Sequence, residues 1–374
     1  MKLEGLRVVD LSSFLPGPYL TMTLADHGAE VIKIEPLEGD PGRHIGPSDG
    51  PVSVFFRNFN RGKKSVVLDL KDGEQRERLL DLCDRADVFV ETFRPGVADR
   101  LGLAYDALSA RNPRLVYCSI SAFGHRGAYR HRPAHDLALE AMSGTLSMMP
   151  GNDGKPVIPA IPIADQLSAL QGLSAVLMAL FRRETTGRGD YIDIAMHDAL
   201  LAASANIVGP VMAEGRQPVA KHERSTGGAA FYQIYQTRDA RHIVLGGQEE
   251  KFVRNLLNAL ARPDLIALCL RGPGPHQQPV IDFLQTTFSA MSADEAVTFL
   301  SGLDVCFGPV NTLPEAFEDE NVAARGMILR DDLGRRHLAP VIRFRDEPPS
   351  PVLDAPTLGA DNDVLNRVPK PDAA

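Results

Sequence analysis

The sequence predicts an α/β fold built on a doubly wound parallel sheet, together with a smaller α+β domain. Three observations support this prediction. Short apolar segments that are typical of buried strands alternate with helical patterns from residue 6 to residue 120. Loops that contain proline and glycine separate these segments. The chain has 374 residues, of which 44% are hydrophobic, and this is enough for one large domain and a smaller one.

The first βαβ unit is predicted from a strand at 6–11, a helix at 19–27 and a strand at 30–35. Residues 12–18 are predicted to form a loop, because two prolines and a glycine interrupt both strand and helix. A strand–helix–strand unit of this kind implies parallel pairing through a right-handed crossover. The loop lacks the G-x-G-x-x-G pattern, so a nicotinamide cofactor is not expected.

The next segments continue the same alternation. Strands are predicted at 65–70, 88–93 and 115–120, with helices at 73–85 and 96–110. Ligands of doubly wound sheets bind outside the carboxyl ends of the strands. The loops that follow these strands are therefore candidate ligand contacts.

A cluster of basic residues lies between the second and third predicted strands and just after the third. Its members are Arg57, Arg61, Lys63, Lys64 and Lys71. The cluster is either a solvated loop or a site for phosphate groups, to which Lys and Arg donate charge-assisted hydrogen bonds. The sequence alone leaves both interpretations open.

Asp165 precedes a long apolar segment that extends to residue 181. The leucines of this segment recur near helical spacing, and its scarcity of charge predicts a helix buried on all sides. Pro162 and two earlier prolines prevent an earlier start, so Asp165 is predicted at or beside the helix N-terminus. Free backbone N–H groups and the helix dipole are expected to keep its carboxylate ionised there. By itself, this position is more typical of a structural N-cap than of a catalytic group.

A linker is predicted at 214–230, where the apolar periodicity is lost. A hairpin formed by 231–236 and 243–246 should follow it, and then a turn that carries Glu249. Later helices are predicted at 251–261, 279–291 and 292–300, the last with a capping box between Ser292 and Glu295.

Composition argues against several classes of function. The net charge of −8 argues against a nucleic-acid partner. Neither a signal peptide nor an unbroken apolar run of membrane-spanning length is recognisable, so no membrane partner is expected. The four cysteines lack metal-ligand spacing, so no metal is expected. We expect reduced, buried thiols of a cytoplasmic protein at Cys83, Cys118, Cys269 and Cys306.

Seven separated segments resemble the class III CoA-transferases, and they occur in the order found in that family. They are LEGLRVVDLSSFLPGPYLTMTLADHGAEVIKIEPLEGDPGR, NRGKKSVVLDLK, ETFRPGVADRLGL, NPRLVYCSISAFG, AMSG, RRETTGRGDYIDIAM and FGPVNTLPEAFEDE. The resemblance implies a homodimer of two interlocked, ring-like subunits. It also implies a Rossmann-like large domain at 1–213 that is completed by a C-terminal segment at about 331–374. The small α+β domain is then expected at 231–330, after the linker at 214–230.

The resemblance further implies that Asp165 is the nucleophile of a covalent mechanism, in which CoA moves from an acyl-CoA to a carboxylic acid. CoA contacts carry over to Phe14, Leu15, Pro16, Arg43, Leu68, Lys71, Thr92, Phe93 and Arg100. Leu15 replaces a glutamine of formyl-CoA transferase, and the GGGGQ loop of that enzyme is absent. These two departures argue against formyl or oxalyl substrates.

Two alternative functions remain open. The α-methylacyl-CoA racemases of the same family use a histidine and the same aspartate as opposed bases, with a glutamate nearby. His135, Asp165 and Glu249 fill these three positions, so a 2-methylacyl-CoA racemase is the alternative within this fold. A non-catalytic CoA-binding protein is the other alternative, and the presence of Asp165 argues against it.

Overall fold

The computed structural model describes residues 1–151 and 153–366. The chain divides into two compact units. Unit 1 comprises Met1–Ser143, Pro159–Leu201 and Glu320–Ala374, and unit 2 comprises Gly144–Ile158 and Ala202–Asp319. The segments 144–158 and 202–213, which the sequence assigns to the large domain, thus group with unit 2. Residues 320–330, which the sequence assigns to the small domain, group with unit 1. The last part of the predicted C-terminal segment, 367–374, lies outside the described residues.

Strands and helices alternate through the first half of the chain. In order they are β1 (Arg7–Leu11), α1 (Pro16–Asp26), β2 (Glu30–Glu35), α2 (Val54–Asn60), β3 (Lys64–Val67), α3 (Gly73–Cys83), β4 (Val88–Glu91), α4 (Val97–Leu101), α5 (Tyr105–Arg111), β5 (Val116–Ser121), α6 (Asp136–Ser143), α7 (Ile163–Thr186), β6 (Tyr191–Ala195) and α8 (Met196–Ala203). As far as β5 this alternation is the one that the sequence predicts, except that α2 was not predicted and that the helix predicted at 96–110 is divided. Helix α6 was not predicted either.

The second half begins with a helix and a hairpin. Its elements are α9 (Gly209–Glu214), β7 (Gln233–Gln236), β8 (His242–Leu245), α10 (Glu250–Ala259), α11 (Ile266–Cys269), α12 (Gln278–Ser289), α13 (Ala293–Ser301), β9 (Phe307–Pro309), α14 (Leu313–Phe317), α15 (Glu320–Ala324), β10 (Ile328–Arg330) and β11 (Arg336–Leu338). Residues 215–232, all of which are described, contain neither α-helix nor strand. The predicted linker coincides with most of this irregular segment.

The described part of unit 1 is built on a parallel sheet with the strand order β3-β2-β1-β4-β5-β6. All five neighbouring pairs in this sheet are parallel. The strand order reverses between β1 and β4, and ligands of doubly wound sheets bind in the crevice at such a reversal. The predicted parallel α/β sheet is therefore confirmed, and its geometry selects the loops after β1 and β4 as the first place to look for a site.

Two helices differ from their predicted bounds for local reasons. Helix α1 begins at Pro16, whereas the sequence predicts a loop as far as residue 18. Proline is tolerated in a first helical turn, because the N–H that it lacks has no partner within the helix there. The single helix predicted at 96–110 is instead two helices, since Gly102 adopts a φ of 70° at the end of α4.

Both interpretations of the basic cluster are wrong for Arg57, Arg61 and Lys63. Four cations of the cluster form ion pairs inside unit 1, which are Arg57–Asp49, Arg61–Asp26, Lys63–Asp10 and the partly exposed Lys64–Glu30. Arg57, Arg61 and Lys63 are buried, so they are neither solvated nor open to a phosphate. The partners of Arg61 and Lys63 are 35 and 53 positions away, whereas Asp49 is eight positions from Arg57, and no regular local spacing reveals these pairings.

Helix α7 is buried on one face only, which corrects the prediction of burial on all sides. Its buried face packs in the apolar core that contains Leu173, Val176 and Leu180. On the other face, Met178 is 70% exposed and Phe181 is 81% exposed. The helix is long and apolar enough to cross a membrane by length and composition alone, a test that core helices also pass. The absence of a membrane partner stays a prediction.

Unit 2 contains an antiparallel sheet with the order β7-β8-β9. Helices α10, α12 and α13 cover it and supply Leu256, Leu284 and Ala296 to its apolar core. The predicted capping box is confirmed, because Ser292 and Glu295 bond each other's backbone N–H groups at the start of α13. Cys306 is exposed and Cys269 is only partly buried, so the expectation of four buried cysteines is wrong at these two positions.

Candidate active site

The loop that follows β1 lies at the reversal of strand order. Ser13 donates its N–H to Thr92 Oγ1 at 3.1 Å, and this bond joins the loop after β1 to the loop after β4. Phe14 has a φ of 63°, which is uncommon for a residue other than glycine. A Cβ at Gly17 would lie 2.1 Å from Ser12 Cβ, so only glycine fits where α1 starts beside this loop.

A buried ionic network holds the backbone of this loop in place. Lys33 Nζ donates to the Ser12 carbonyl oxygen at 2.7 Å and pairs with Asp40 at 2.8 Å. Asp10 accepts the Ser12 N–H at 2.9 Å and pairs with Lys63 Nζ at 3.0 Å. Burial acts to raise the pKa of Asp10, but Lys63 and Lys33 outweigh it and hold the pKa well below its usual range. These interactions hold the backbone next to the strained turn at Phe14 in place.

His135 lies against Phe14. The centroids of the two rings are 6.2 Å apart, and the rings meet edge to face. His135 is exposed and immediately precedes α6, where its carbonyl oxygen accepts the N–H of Ala138 at 3.0 Å. The structure thus brings His135 together with the loop after β1, although His135 and Phe14 are 121 positions apart in the sequence.

Asp165 is the third residue of α7, close to its predicted place. Its own backbone N–H donates to Asp136 Oδ1 at 3.1 Å, and the N–H of Ile163 donates to Glu140 Oε1 at 3.3 Å. Carboxylates of α6 thus accept hydrogen bonds from backbone N–H groups at the start of α7. Burial, and then the negative charge of Asp136, raise the pKa of Asp165 to about 7. The prediction that the helix end keeps this carboxylate fully ionised is therefore wrong.

The sequence predictions did not include Asp136 and Glu140 among the site residues. Glu140 is fully buried, and burial together with Asp136 raises its pKa. The two residues are four positions apart in the segment HDLALE, so they lie on the same face of α6. Two carboxylates at this spacing, directly after His135, are the sequence pattern from which these site residues could have been predicted. Together with Asp165 they form a carboxylate cluster, which we define as Asp136, Glu140 and Asp165.

The predicted CoA contacts other than Arg43 fall into three groups. Phe14, Leu15, Thr92 and Phe93 lie in the loops that Ser13 joins at the reversal of strand order, and Pro16 is the first residue of α1 beside them. Leu68 is buried in the apolar cluster against which Phe93 packs. The side chains of Lys71 and Arg100 are exposed and follow β3 and β4, respectively. These positions suit contacts with an extended ligand laid across the carboxyl ends of the strands.

Arg43 does not fit the predicted CoA site. Its side chain is buried and donates to both carboxylate oxygens of Glu35, at 2.8 and 2.6 Å. The remaining guanidinium nitrogen donates to the Pro356 carbonyl oxygen at 3.0 Å. The guanidinium also lies over the ring of Phe56, at 4.1 Å from its centroid. With all three nitrogens engaged inside the protein, Arg43 is an internal ion pair rather than a phosphate contact.

Glu249 belongs to unit 2, whereas His135 and Asp165 belong to unit 1. It is the exposed residue before α10, and its carbonyl oxygen accepts the N–H groups of Phe252 and Val253. Its role in catalysis stays a prediction. In residues 1–151 and 153–366, no group of His, Cys, Asp and Glu is arranged to hold a metal ion, and the predicted absence of a metal is likewise untested.

The fold and the site together define a class of protein. A parallel sheet that opens at its reversal of strand order, beside a carboxylate of raised pKa, is typical of an α/β enzyme that acts on an extended, nucleotide-like ligand. The sequence profile of CoA-transferase family III matches residues 3–362. The chain belongs to this family and is a CoA-transferase, which confirms the family and the type of enzyme that the sequence predicts.

Individual relatives agree with this assignment. The acetyl-CoA:oxalate CoA-transferase of Acetobacter aceti is 35% identical over 333 residues, which cover 87% of this chain and 85% of that protein. The succinyl-CoA:glutarate CoA-transferase of Mus musculus is 30% identical over 335 residues, 87% of this chain and 76% of that protein. The crystal structure of a CAIB/BAIF family protein from Brucella suis has a TM-score of 0.84 and 32% identity, and the match covers 97% of this chain and 98% of that one.

Proposed function

We propose that this CoA-transferase works through a covalent intermediate on Asp165, and that its acceptors are short-chain carboxylic acids. The observation that carries the proposal is the position of Asp165. Asp165 lies at the start of α7, and its backbone N–H donates to Asp136. His135 directly precedes Asp136 in the chain. Asp165 is partly exposed, as a nucleophile that meets a substrate must be. The acids named for the relatives, oxalate and glutarate, support a small carboxylic acid as acceptor.

The proposed exchange balances without any added oxidant or metal. The Asp165 carboxylate attacks the thioester carbonyl carbon, a C–O bond forms, and the C–S bond breaks to release CoA thiolate. The thiolate attacks the aspartyl carbonyl of this mixed anhydride, which expels the donor acid and leaves an aspartyl-CoA thioester. The acceptor carboxylate then repeats both exchanges in reverse order. Asp165 is regenerated, and no net proton is consumed.

The intermediate can be tested by trapping. Hydroxylamine converts an aspartyl thioester into a hydroxamate, which peptide mass spectrometry can locate. Incubation with acetyl-CoA or succinyl-CoA and hydroxylamine should modify the peptide that contains Asp165, and the Asp165→Asn protein should stay unmodified. Efficient CoA transfer without any modification at Asp165 would refute the covalent assignment.

The raised pKa of Asp165 predicts an acid limb in the rate of transfer. Only the ionised carboxylate attacks, so kcat/KM should fall about tenfold per pH unit below a pKa of about 7 and should level off above it. Asp136→Asn keeps an oxygen that can accept the Asp165 N–H but removes the nearby negative charge. Its acid limb should therefore lie at lower pH than that of the wild type. A limb that stays at the same pH in Asp136→Asn would show that Asp136 does not tune the nucleophile.

Proton exchange at the α-carbon is a second candidate activity. One observation favours it, since His135 directly precedes Asp136, the residue that bonds Asp165. In deuterated water, a racemase would introduce deuterium at the α-carbon of a 2-methylacyl-CoA, whereas a transferase would produce new acyl-CoA species without it. We expect transfer without deuterium, and we expect His135→Gln to reduce transfer by less than about tenfold. Loss of nearly all transfer in that variant would mean that His135 has a more direct role.

We also propose that a second copy of the chain covers the exposed face of α7. Contiguous exposed apolar side chains on a soluble protein mark interaction surfaces. On this face they are Leu170, Leu177, Met178 and Phe181. In the interlocked homodimer that the sequence predicts, the second subunit would bury this face. We also keep, as part of this proposal, the cytoplasmic location predicted from the cysteines. CoA is the substrate carrier in this scheme, with the exposed cations Lys71 and Arg100 as contacts for its phosphates.

A further inference from the structure

The loop between β5 and α6 carries an exposed group of arginines that the proposed mechanism does not use. We define this cationic loop as residues 125–132, with the sequence HRGAYRHR. Arg126, Arg130 and Arg132 are all exposed. In the parts of the chain that the structure describes, none of the three forms an ion pair with a carboxylate. Three unpaired guanidinium groups in a protein of net charge −8 form a local site for anionic oxygen atoms.

Aromatic contacts hold the cationic loop in a defined conformation. The ring of Phe123 lies 5.5 Å from that of Tyr129 and 5.7 Å from that of His197, at the start of α8. The Arg132 guanidinium lies over the Tyr129 ring at 5.4 Å from its centroid, and the Arg132 N–H donates to the Tyr129 carbonyl oxygen at 2.8 Å. The arginines are thus presented by an ordered scaffold, which reduces the entropy lost when they bind a ligand.

Arg130 and His131 are arranged as a pair within this loop. Arg130 Nε donates to His131 Nε2 at 2.9 Å, so this imidazole nitrogen acts as the acceptor. The contact orients the guanidinium of Arg130 without neutralising its charge. Its Nη atoms remain as donors for a carboxylate or a phosphate.

The cationic loop is tied to the nucleophile by the chain. Arg132 and Asp136 are four positions apart in the chain, so their Cα atoms are at most about 14 Å apart. Asp136 Oδ1 in turn lies 3.1 Å from the Asp165 backbone nitrogen. A small acid that reacts at Asp165 is therefore within reach of a long arginine side chain from this loop.

The strand order separates the cationic loop from the predicted CoA contacts. Those contacts follow β1, β3 and β4, whereas the cationic loop follows β5, on the far side of β4 from β1. CoA laid across β3, β1 and β4 would present its thioester toward the segment that contains His135. The arginines would then lie on the opposite side of the thioester from the CoA contacts.

We infer that the cationic loop binds the second carboxylate of a dicarboxylic acid acceptor, chiefly through Arg130 and Arg132. The inference rests on the proposed function, because it names the substrate class of the same site. One carboxylate of the acid reacts with the aspartyl thioester at Asp165, and the other forms charge-assisted hydrogen bonds with the loop. The same chemistry could bind a phosphate of CoA, and the experiment is arranged to separate these two sources.

The test compares two acceptors of equal chain length, succinate and butyrate, with acetyl-CoA as donor. For the wild type we expect a higher kcat/KM with succinate. Arg130→Gln combined with Arg132→Gln should lower kcat/KM for succinate about 10- to 100-fold and leave butyrate nearly unchanged. The KM for acetyl-CoA should stay within about twofold. Arg78→Gln, which removes an exposed arginine of α3 that pairs with Glu74, is the matched control and should have no effect.

Three outcomes would overturn this inference. Equal losses with succinate and butyrate would show that the arginines do not recognise the second carboxylate. A raised KM for acetyl-CoA, abolished when dephospho-CoA esters are compared, would assign the arginines to the 3′-phosphate of CoA. A wild type that does not distinguish the two acids would also refute dicarboxylate recognition while leaving the proposed transfer intact. Absence of transfer with every donor and acid tested would instead refute the proposed function, and the inference would fall with it.

Discussion

Replacement of Asp165 by asparagine should abolish CoA transfer, with a loss of at least about 10³-fold in kcat. Asparagine has nearly the same shape and keeps the backbone N–H that bonds Asp136, but its amide cannot form a mixed anhydride with the acyl group. The loss should therefore appear in kcat without a comparable change in acyl-CoA binding. Initial rates with acetyl-CoA or succinyl-CoA as donor, together with a binding titration of the donor, provide the measurement.

Asp198 provides the matched control for this substitution. It is the third residue of α8, as Asp165 is of α7, but its side chain is 79% exposed and lies 3.7 Å from the ring nitrogen Nδ1 of the neighbouring His197. Asp198→Asn should retain full activity. Equal losses in the two variants, or wild-type rates in Asp165→Asn, would contradict the assignment of Asp165 as nucleophile.

The stability of Asp165→Asn offers an independent check. Folding raises the pKa of Asp165 to about 7 from an unfolded value near 3.8, so between these pH values the folded state binds more protons than the unfolded state. The contribution of this residue to stability is therefore lost as the pH rises toward and through 7. Asparagine carries no charge at any pH, so Asp165→Asn should melt at a higher temperature than the wild type above pH 7. An inactive variant that is also more stable cannot owe its inactivity to unfolding.

The parallel sheet was predictable because its strands carry their signal locally. Strands of a parallel sheet are covered on both faces, and they therefore appear as short, continuous apolar runs. The bounds of β2 are the predicted ones, and Val8, Val9, Val31 and Ile32 are all buried, as such runs require. Once the alternation of strands and helices is recognised, the right-handed crossover rule limits the strand orders that can result.

The environment of Asp165 was not predictable in the same way. Its place near a helix start follows from the prolines before it, but its pKa depends on Asp136, which lies 29 residues earlier in the chain. A local pattern suggests an ionised carboxylate at a helix end. In the folded protein, however, Asp136 and Glu140 accept the backbone N–H groups at this helix end, and Asp165 is partly buried. The charge state of a catalytic carboxylate is a property of the packing rather than of the motif.

The basic cluster illustrates the same limit with a different result. Arg57, Arg61 and Lys63 look like a phosphate site because their partners are not adjacent in the sequence. Asp10 is 53 residues away from Lys63, and Asp26 is 35 residues away from Arg61. Packing converts these cations into internal ion pairs that support the loop after β1. The sequence predictions did not single out the exposed arginines of the cationic loop, whose charges remain free to bind an anionic ligand.

Removal of one partner from the buried network should strongly destabilise the protein. Lys63 Nζ bonds Asp10, the Pro18 carbonyl oxygen and Asn60 Oδ1, at 3.0, 3.0 and 2.9 Å. Lys63→Met keeps the length of the side chain but leaves the buried carboxylate of Asp10 without this cation. We expect the free energy of unfolding of unit 1 to fall by about 3–5 kcal/mol, as is typical when one partner of a buried ion pair is removed. Urea unfolding followed by circular dichroism measures this change.

The neighbouring Lys64 is the natural control, because its ion pair with Glu30 is partly exposed at the surface. Lys64→Met should cost less than about 1 kcal/mol. A double variant, Lys63→Met with Asp10→Asn, removes the uncompensated charge and should recover part of the loss. Equal losses in the free energy of unfolding for Lys63→Met and Lys64→Met would mean that burial does not make the Asp10–Lys63 pair more important for stability than a surface pair. If the buried pair behaves as expected, the loop that carries Phe14 is held at the proposed CoA site by interactions whose strength depends on exclusion of water.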